Sequence, residues 1–374
     1  MIPAAGLARV EAGLRPLFTR LPPSWAVGLY SRGRRRFLPL FAAQPPRLAR
    51  LPPAALGVEL WGLQFRSPIF NAAGMFKNGE GYTLAARQGA GAYLAGTTTA
   101  RPREGNRRCG IATPFAPYPR SHAASNWLGL PNPGHAEVAR RLAAVQKVPG
   151  CPLGVSLAAD PDPSLGADEK LAGLVAGMRA YEEAGVDFLE MNESCPNTEA
   201  GGEDFAQLVS RLGCLAAEFL ARRRRPLPVI VKFSNDTAPE QVEKLVRLLL
   251  ELGFDGLNFG NTSTAYRAIA PTIDQGERPL FDYFTTTFGG GVSGRPLREK
   301  SLALCGLAIE AVAAAQPGRE FQVVRTGGIE SAADVEASAA AGVRLNQWYS
   351  GYFEAFSAYG HQLYQRIYAD LVNR

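Results

Sequence analysis

Leu189-Glu190-Met191-Asn192-Glu193-Ser194-Cys195-Pro196-Asn197-Thr198 reads as a short buried strand that breaks into a polar loop. Pro196 forces the break, because it has no backbone N–H to offer a continuing sheet. The same strand-then-loop pattern recurs on both sides of this stretch. Upstream lie Ile69-Phe70-Asn71, Ala92 to Ala95 and Leu153 to Leu157; downstream lie Val229 to Phe233, Gly256 to Phe259, Phe321 to Val324 and Leu345 to Tyr349. With Phe188 to Met191 this makes eight strands. Helical patterns separate them at Gly79 to Gly89, Ala167 to Ala184, Pro239 to Leu252, Lys300 to Ala315 and Ala332 to Ala341. Eight short apolar strands alternating with helices predict an α/β fold of the closed (β/α)8 TIM-barrel type, with an N-terminal helical extension. An open doubly wound sheet would usually carry a G-x-G-x-x-G turn after its first strand, and Asn71-Ala72-Ala73-Gly74 is not one.

The chain of 374 residues is 46% hydrophobic, and such a barrel takes about 250 residues. The expected division is residues 1–53 as an amphipathic helical extension with linker, and residues 54–374 as the barrel. From Leu7 to about Phe41 the pattern predicts two short amphipathic helices, broken at Leu21-Pro22-Pro23, with Ser24 placed to cap the second. The net charge of +6 is unevenly spread, since Arg15, Arg20, Arg32, Arg34, Arg35 and Arg36 crowd this segment. An anionic partner is expected for it, an anionic membrane surface and not nucleic acid; the alternative is a cap on the barrel with a solvated charged face. No apolar run approaches the ~20 residues needed to span a bilayer. Arg34-Arg35-Arg36-Phe37-Leu38 resembles an export signal, but the apolar stretch after it is too short. The expected location is cytoplasmic, with peripheral attachment to the inner membrane. Cys109, Cys151, Cys195, Cys214 and Cys305 are scattered singly, which supports neither a disulfide framework nor a zinc site.

In barrels of this kind chemistry sits where strands end. Lys77 follows the first strand and Thr97 the second; Ser156 lies in the third; Asn192, Cys195 and Asn197 follow the fourth. Lys232 lies within the fifth, Asn261 and Thr262 follow the sixth, Gly327 and Gly328 the seventh, and Tyr349 and Ser350 end the eighth. All should converge on one mouth. Cys195 between two amides is suited to taking a proton from a small polar ring, although a buried cysteine, taken alone, is more often an inert small hydrophobe. Lys232, if it faces inward, needs a partner carrying or developing negative charge. Gly327-Gly328 and Tyr349-Ser350 offer backbone N–H groups where such barrels bind phosphate, and Gly289 to Leu297 is expected to be a further Gly-rich loop.

Taken in order, Asn71 to Lys77, Gly96-Thr97 with Arg101-Pro102, Asn126 to Asn132, Asn192 to Thr198, Val231-Lys232, Asn261-Thr262, Gly291 to Leu297, Gly327-Gly328-Ile329 and Tyr349-Ser350-Gly351 resemble the dihydroorotate dehydrogenase family. The resemblance runs from about Leu63 to the C-terminus, and the ordered set with Ser194-Cys195-Pro196-Asn197 is specific. It implies FMN-dependent oxidation of dihydroorotate to orotate in pyrimidine biosynthesis, with Cys195 and Lys232 catalytic. It further implies that Ala73, Gly74, Lys77, Thr97, Ser156, Asn192, Lys232, Gly260, Gly294, Gly327, Gly328, Tyr349 and Ser350 hold FMN. Lys77, Asn126, Trp127, Leu128, Gly129, Leu130, Asn192, Asn197, Asn261 and Thr262 would hold the substrate. No metal is implied.

Two branches of the family meet in this chain. Cysteine as base resembles the soluble branch, whereas the helical extension resembles the membrane-associated branch that passes electrons to quinone. Quinone is the expected acceptor, with fumarate or another soluble acceptor as the alternative; oligomeric state is not read. Other departures are Glu193 in place of an aliphatic residue, Arg325-Thr326 before Gly327, Trp127-Leu128, and Gly260 in place of threonine. Arg325 is expected either to clash with the flavin phosphate or to pair with it, and Glu193 is a candidate partner for Arg325. The alternatives to dihydroorotate oxidation are a flavin oxidoreductase acting on another ring C–C bond, and a barrel without catalysis.

Overall fold

The structure, a computed structural model, describes residues 3–193 and 205–373; Cys195 and Asn197 lie outside the described residues. Eight strands form the barrel: β1 Ile69–Asn71, β2 Tyr93–Thr98, β3 Leu153–Leu157, β4 Phe188–Asn192, β5 Val229–Phe233, β6 Gly256–Phe259, β7 Gln322–Thr326 and β8 Leu345–Trp348. Their residues are buried almost throughout, which is why they read as continuous apolar runs with no alternation. Seven junctions around the barrel are parallel ladders. The eighth, between β1 and β2, has no ladder and is closed by the Asn71 side chain, whose Nδ2 donates to the Leu94 carbonyl at 2.8 Å and whose Oδ1 accepts the Leu94 N–H at 3.3 Å, together with backbone bonds at either end of the two strands. A hairpin of Val58–Leu60 with Leu63–Phe65 closes the N-terminal end, where Phe65 packs on Phe70 and Phe188.

At the opposite end, Phe115–Tyr118, Ala123–Asn126 and Gly291–Gly294 pair as a three-stranded antiparallel sheet. The expectation of a Gly-rich loop over 289–297 is therefore corrected: Gly291–Gly294 is a strand, in register with Asn126–Ala123. Its pairing supplies the order that its residue types do not favour.

The extension is two helices, α1 Ala4–Phe18 and α2 Pro23–Ala42, of 15 and 20 residues. Pro23 holds the first helical position, where its missing N–H costs nothing. The cap position falls on Pro22, and Ser24 makes no cap, contrary to expectation. Phe41 of α2 is buried in the main core against Phe76, Tyr352 and Phe356. Ala26 and Val27 join a second core with Tyr118, Phe281 and Val292 above the barrel mouth. The extension is thus seated on the barrel. Among the described residues no helix is long and apolar enough to cross a membrane.

The outer end of β2 is tied to its neighbours through His135, the first residue of the helix His135–Ala143. Its Nδ1 lies 3.0 Å from Thr98 Oγ1 and 3.3 Å from the Tyr181 hydroxyl. Burial holds this imidazole neutral, lowering its pKa from 6.5 to about 4. Because the folded state binds the proton less readily than the unfolded chain, the stability it contributes is complete above pH 6.5. It is lost as pH falls towards 4, at about 1.4 kcal/mol per unit and about 3 kcal/mol in all. Urea denaturation at pH 7 and pH 4.5 should therefore show a markedly smaller stability loss for His135→Gln than for the parent chain. An equal loss in both would place the acid sensitivity elsewhere.

Candidate functional site

One cleft opens at the C-terminal ends of the barrel strands. Seventeen of the residues singled out in the sequence line it: Ala73, Gly74, Lys77, Thr97, Asn126, Leu128, Leu130, Asn192, Lys232, Gly260, Asn261, Thr262, Gly294, Gly327, Gly328, Tyr349 and Ser350. They come from all parts of the chain, and the barrel geometry brings them together. One wall is a chain of amides and hydroxyls. Asn192 Nδ2 donates to Thr97 Oγ1 at 3.1 Å, Asn261 Nδ2 donates to Asn192 Oδ1 at 3.1 Å, and Asn261 Oδ1 accepts the Thr262 N–H at 2.9 Å. These bonds fix the orientations of the amides that border the cleft, so a ligand meets them without reorganisation.

Among the described residues, three of the expected binding residues do not line the cleft. Ser156 is fully buried behind the wall, its Oγ 3.0 Å from Thr97 Oγ1, so it positions Thr97. Trp127, in the loop that follows the strand Ala123–Asn126, is buried away from the cleft: its ring lies beneath the Arg108 guanidinium, 4.7 Å from the ring centre, and beside Phe288. Gly129 takes a left-handed turn against Asn106. Gly260 lines the cleft for a backbone reason: at φ +142° a Cβ would lie 1.6 Å from the Thr326 carbonyl oxygen, so threonine does not fit here.

The two departures expected to disturb the site do not reach it. Arg325 alternates with Thr326 and so points outward from β7 into the helical layer. Its Nε donates to Ser301 Oγ at 2.9 Å, and its Nη atoms donate to Ser338 Oγ at 2.9 Å and to the Asp334 and Arg298 carbonyls at 3.1 and 2.8 Å. Burial lowers its pKa, offset in part by nearby groups that include Asp334. Neither a clash nor an ion pair with a phosphate in the cleft arises. Glu193 is not its partner either; it accepts from Arg211 Nε at 3.1 Å.

Electrostatically the cleft suits an anion. The charged side chains lining it are Lys77 and Lys232, and no carboxylate lines it among the described residues. The helix Ser350–Tyr359 opens onto it with Ser350 and Gly351 in its first turn, so unpaired N–H groups and the positive end of the helix dipole face the ligand space. Thr262 Oγ1 is buried with no partner among the described residues, an orphan donor that a ligand acceptor would satisfy.

A second cavity of about 340 Å3 adjoins the first and is mainly apolar. Leu7, Ala8, Phe18, Leu29 and Phe37 of α1 and α2 form its roof. Tyr349 and Ser350 line both cavities and separate them by one residue layer. Arg34 of α2 fastens the roof to that wall, donating from Nη2 to the Tyr349 hydroxyl at 2.8 Å and to the Gly74 carbonyl at 3.1 Å. At another side, Arg15 bridges Glu11 and Glu354 at 2.6 and 2.5 Å. Burial works against that cation, but Glu11 and Glu354 outweigh it and hold its pKa above the ordinary value.

The family model of dihydroorotate dehydrogenase matches residues 55–371. The chain belongs to the dihydroorotate dehydrogenase family. It is 34% identical to the dihydroorotate dehydrogenase (quinone) of Parvibaculum lavamentivorans, over 90% of this chain and 87% of that protein. It is 31% identical to the enzyme of the same name from Acidithiobacillus ferrooxidans, over 90% and 89%. In fold it resembles a ligand-free dihydroorotate dehydrogenase of Eimeria tenella, with a TM-score of 0.74 at 22% identity, covering 92% of this chain and 94% of that one. Within this dihydroorotate dehydrogenase barrel, the sequence reading missed Ser293, Thr326 and Gln347, which also line the cleft. It missed Glu190 and Asn258 beneath them as well. Asn258 and Gln347 were legible as polar residues inside apolar strands, the same signal that singled out Lys232.

Proposed function

We propose that this chain oxidises dihydroorotate to orotate with FMN bound in the cleft, and passes the electrons to a quinone seated in the apolar cavity under α1 and α2. The observation that carries the reading is the shared wall: Tyr349 and Ser350 border both the lysine-lined cleft and the apolar cavity. A lipid-soluble acceptor would thus come within one residue layer of a cofactor in the cleft. The residues present fit FMN. The N-terminus of the helix Ser350–Tyr359 with Gly294, Gly327 and Gly328 suits its phosphate, Lys232 its pyrimidine end, and Ala73, Gly74 and Thr97 the ring face and edge. When bound, the FMN ring supplies the hydride acceptor and the two-electron store that the protein side chains lack.

The chain's own groups do the rest. Asn126, Asn192, Asn197 and Asn261 hold the carboxylate and ring amides of the substrate, with Lys77 countering its charge. Cys195, three residues beyond Asn192, removes the C5 proton as the C6 hydride departs. A thiol titrates near ~8.5, so a modest downward shift makes it an effective base at neutral pH; a serine would need a far larger one. The roles of Ser156, Trp127 and Gly129 are supporting.

Anaerobic addition of dihydroorotate to the FMN-loaded protein tests the reading. Loss of the oxidised flavin absorbance is expected, followed by its return on adding a short-chain quinone. Bleaching by a different dihydropyrimidine and not by dihydroorotate would assign another substrate, and a protein that takes up no FMN would remove the enzymatic reading altogether.

Attachment to a membrane is part of the same proposal. Val10, Leu17 and Trp25 expose 60, 60 and 71% of their surface on the extension, beside the exposed Arg9, Arg20, Arg32, Arg35 and Arg36. Apolar and basic residues together suit the headgroup region of an anionic bilayer. Co-sedimentation with phosphatidylglycerol vesicles is expected, weakening as salt rises because the arginine contribution is screened. Absence of binding at low salt would reduce the extension to a cap.

A further inference from the structure

Beneath the floor of the cleft lies a buried carboxylate that the proposed reaction does not use. Glu190 is fully buried in the barrel interior, on the same face of β4 as Asn192 and one pleat deeper. Its Oε1 lies 3.4 Å from Lys232 Nζ. Its Oε2 accepts from Gln347 Nε2 at 2.7 Å and from Asn258 Nδ2 at 2.8 Å. Gln347 also turns its Oε1 to Lys232 Nζ at 3.3 Å, and Thr326 Oγ1 lies 3.0 Å from both Asn258 Oδ1 and Gln347 Oε1. Five side chains from five strands are thereby locked into one layer. Lys232, Thr326 and Gln347 form cleft surface, whereas Glu190 and Asn258 do not touch it.

An isolated ammonium at that floor would draw electrons towards the cofactor. A carboxylate 3.4 Å away, in an interior that screens charge poorly, cancels much of that pull. We propose that Glu190 is a positioning residue that holds Lys232 at the cleft floor and balances its charge, thereby keeping the reduction potential of the bound flavin lower than Lys232 alone would set it. The inference rests on FMN occupying the cleft.

Spectroelectrochemical titration of the FMN-loaded protein tests it. Glu190→Gln keeps the shape and removes the charge, leaving Lys232 uncompensated. The midpoint potential is expected to rise by at least a tenfold change in the redox equilibrium, about 30 mV for a two-electron couple. A potential that stays in place or falls overturns the proposal. The double variant Glu190→Gln/Lys232→Met removes both charges together and should return the potential to within about a twofold change of the parent, as expected when a charge pair is deleted as a unit. A double variant as far displaced as Glu190→Gln would show that the glutamate does not act through Lys232, and equally overturns it. Should Glu190→Gln fail to fold, Glu190→Asp retains the charge but withdraws it by one methylene; a smaller rise is expected, and no rise counts against the proposal. FMN uptake by the parent chain separates the two levels: a protein that binds no FMN defeats the functional reading, whereas bound FMN with an unmoved potential defeats only the role of Glu190.

Discussion

Cys195→Ala is expected to leave FMN bound and to slow flavin reduction by dihydroorotate about 10²- to 10⁴-fold, the range over which a positioned general base acts. Asn192 stands in the cleft wall with its amide fixed between Thr97 and Asn261. Cys195 follows three residues later in a chain whose next residue, Pro196, cannot extend the strand. The other thiols offer no substitute. Cys151 and Cys305 are fully buried, and burial raises their pKa to about 11 and about 12, which keeps them protonated. Cys109 and Cys214 are exposed, and none of these four lines the cleft. Stopped-flow absorbance of the oxidised flavin measures the step directly. In the parent the rate should rise with pH through the thiol pKa, and in Cys195→Ala that rise should vanish. Equal reduction rates in the two proteins would remove Cys195 from the mechanism.

The second large effect is expected on the acceptor side. Ala8→Phe places a ring from α1 into the 340 Å3 cavity beneath the extension. Quinone reduction should fall at least about tenfold in kcat/KM, in keeping with what a filled apolar pocket costs a ligand. Flavin reduction by dihydroorotate should stay within about twofold of the parent, because Ala8 does not line the cleft. Filling the cavity is cleaner than removing residues 1–53. Truncation would strip Phe41, Ala26 and Val27 from two cores and leave apolar barrel surface in water. Parallel losses in both half-reactions on Ala8→Phe would mean that the groove supports the fold and does not admit the acceptor.

The barrel was legible because its strands are dense apolar runs bounded by glycine and polar residues. The limits expected for Ile69 to Asn71, Leu153 to Leu157, Val229 to Phe233 and Gly256 to Phe259 match the structure, and the others differ by a few residues at most. The sheet over the mouth was not legible. Phe115-Ala116-Pro117-Tyr118 and Gly291-Val292-Ser293-Gly294 contain residues that disfavour strands; the first forms a hairpin with Ala123–Asn126, and the second becomes a strand only by pairing with that same segment, far away in sequence. Cleft residues were found where a polar side chain closes a strand. Direction within a strand was the weaker inference. Arg325 was expected to meet the flavin phosphate from its place at the end of a strand, and the parity of β7 turns it outward. Trp127 was expected in the site from the family resemblance, and it packs instead beneath Arg108 and beside Phe288 in the loop after Ala123–Asn126. Glu190 escaped notice for a related reason, since its partners Lys232, Asn258 and Gln347 stand on three other strands and meet it only once the cylinder closes.

The seam at Asn71 has a mechanical corollary. Elsewhere the wall is stitched by parallel ladders; across the gap between β1 and β2 the Asn71 side chain is joined by main-chain bonds outside any ladder, from the Gly91 N–H to the Ile69 carbonyl, the Gly74 N–H to the Gly96 carbonyl and the Gly96 N–H to the Lys77 carbonyl, at 2.9, 2.6 and 3.0 Å. Gly74 and Lys77 leave one edge of that gap and Thr97 the other, and all three border the cleft. Gly96 is bonded through its carbonyl to Gly74 and through its N–H to Lys77, so the main chain itself sets the spacing of Lys77 and Thr97 across the cleft, and the cylinder keeps its diameter at this edge without a ladder.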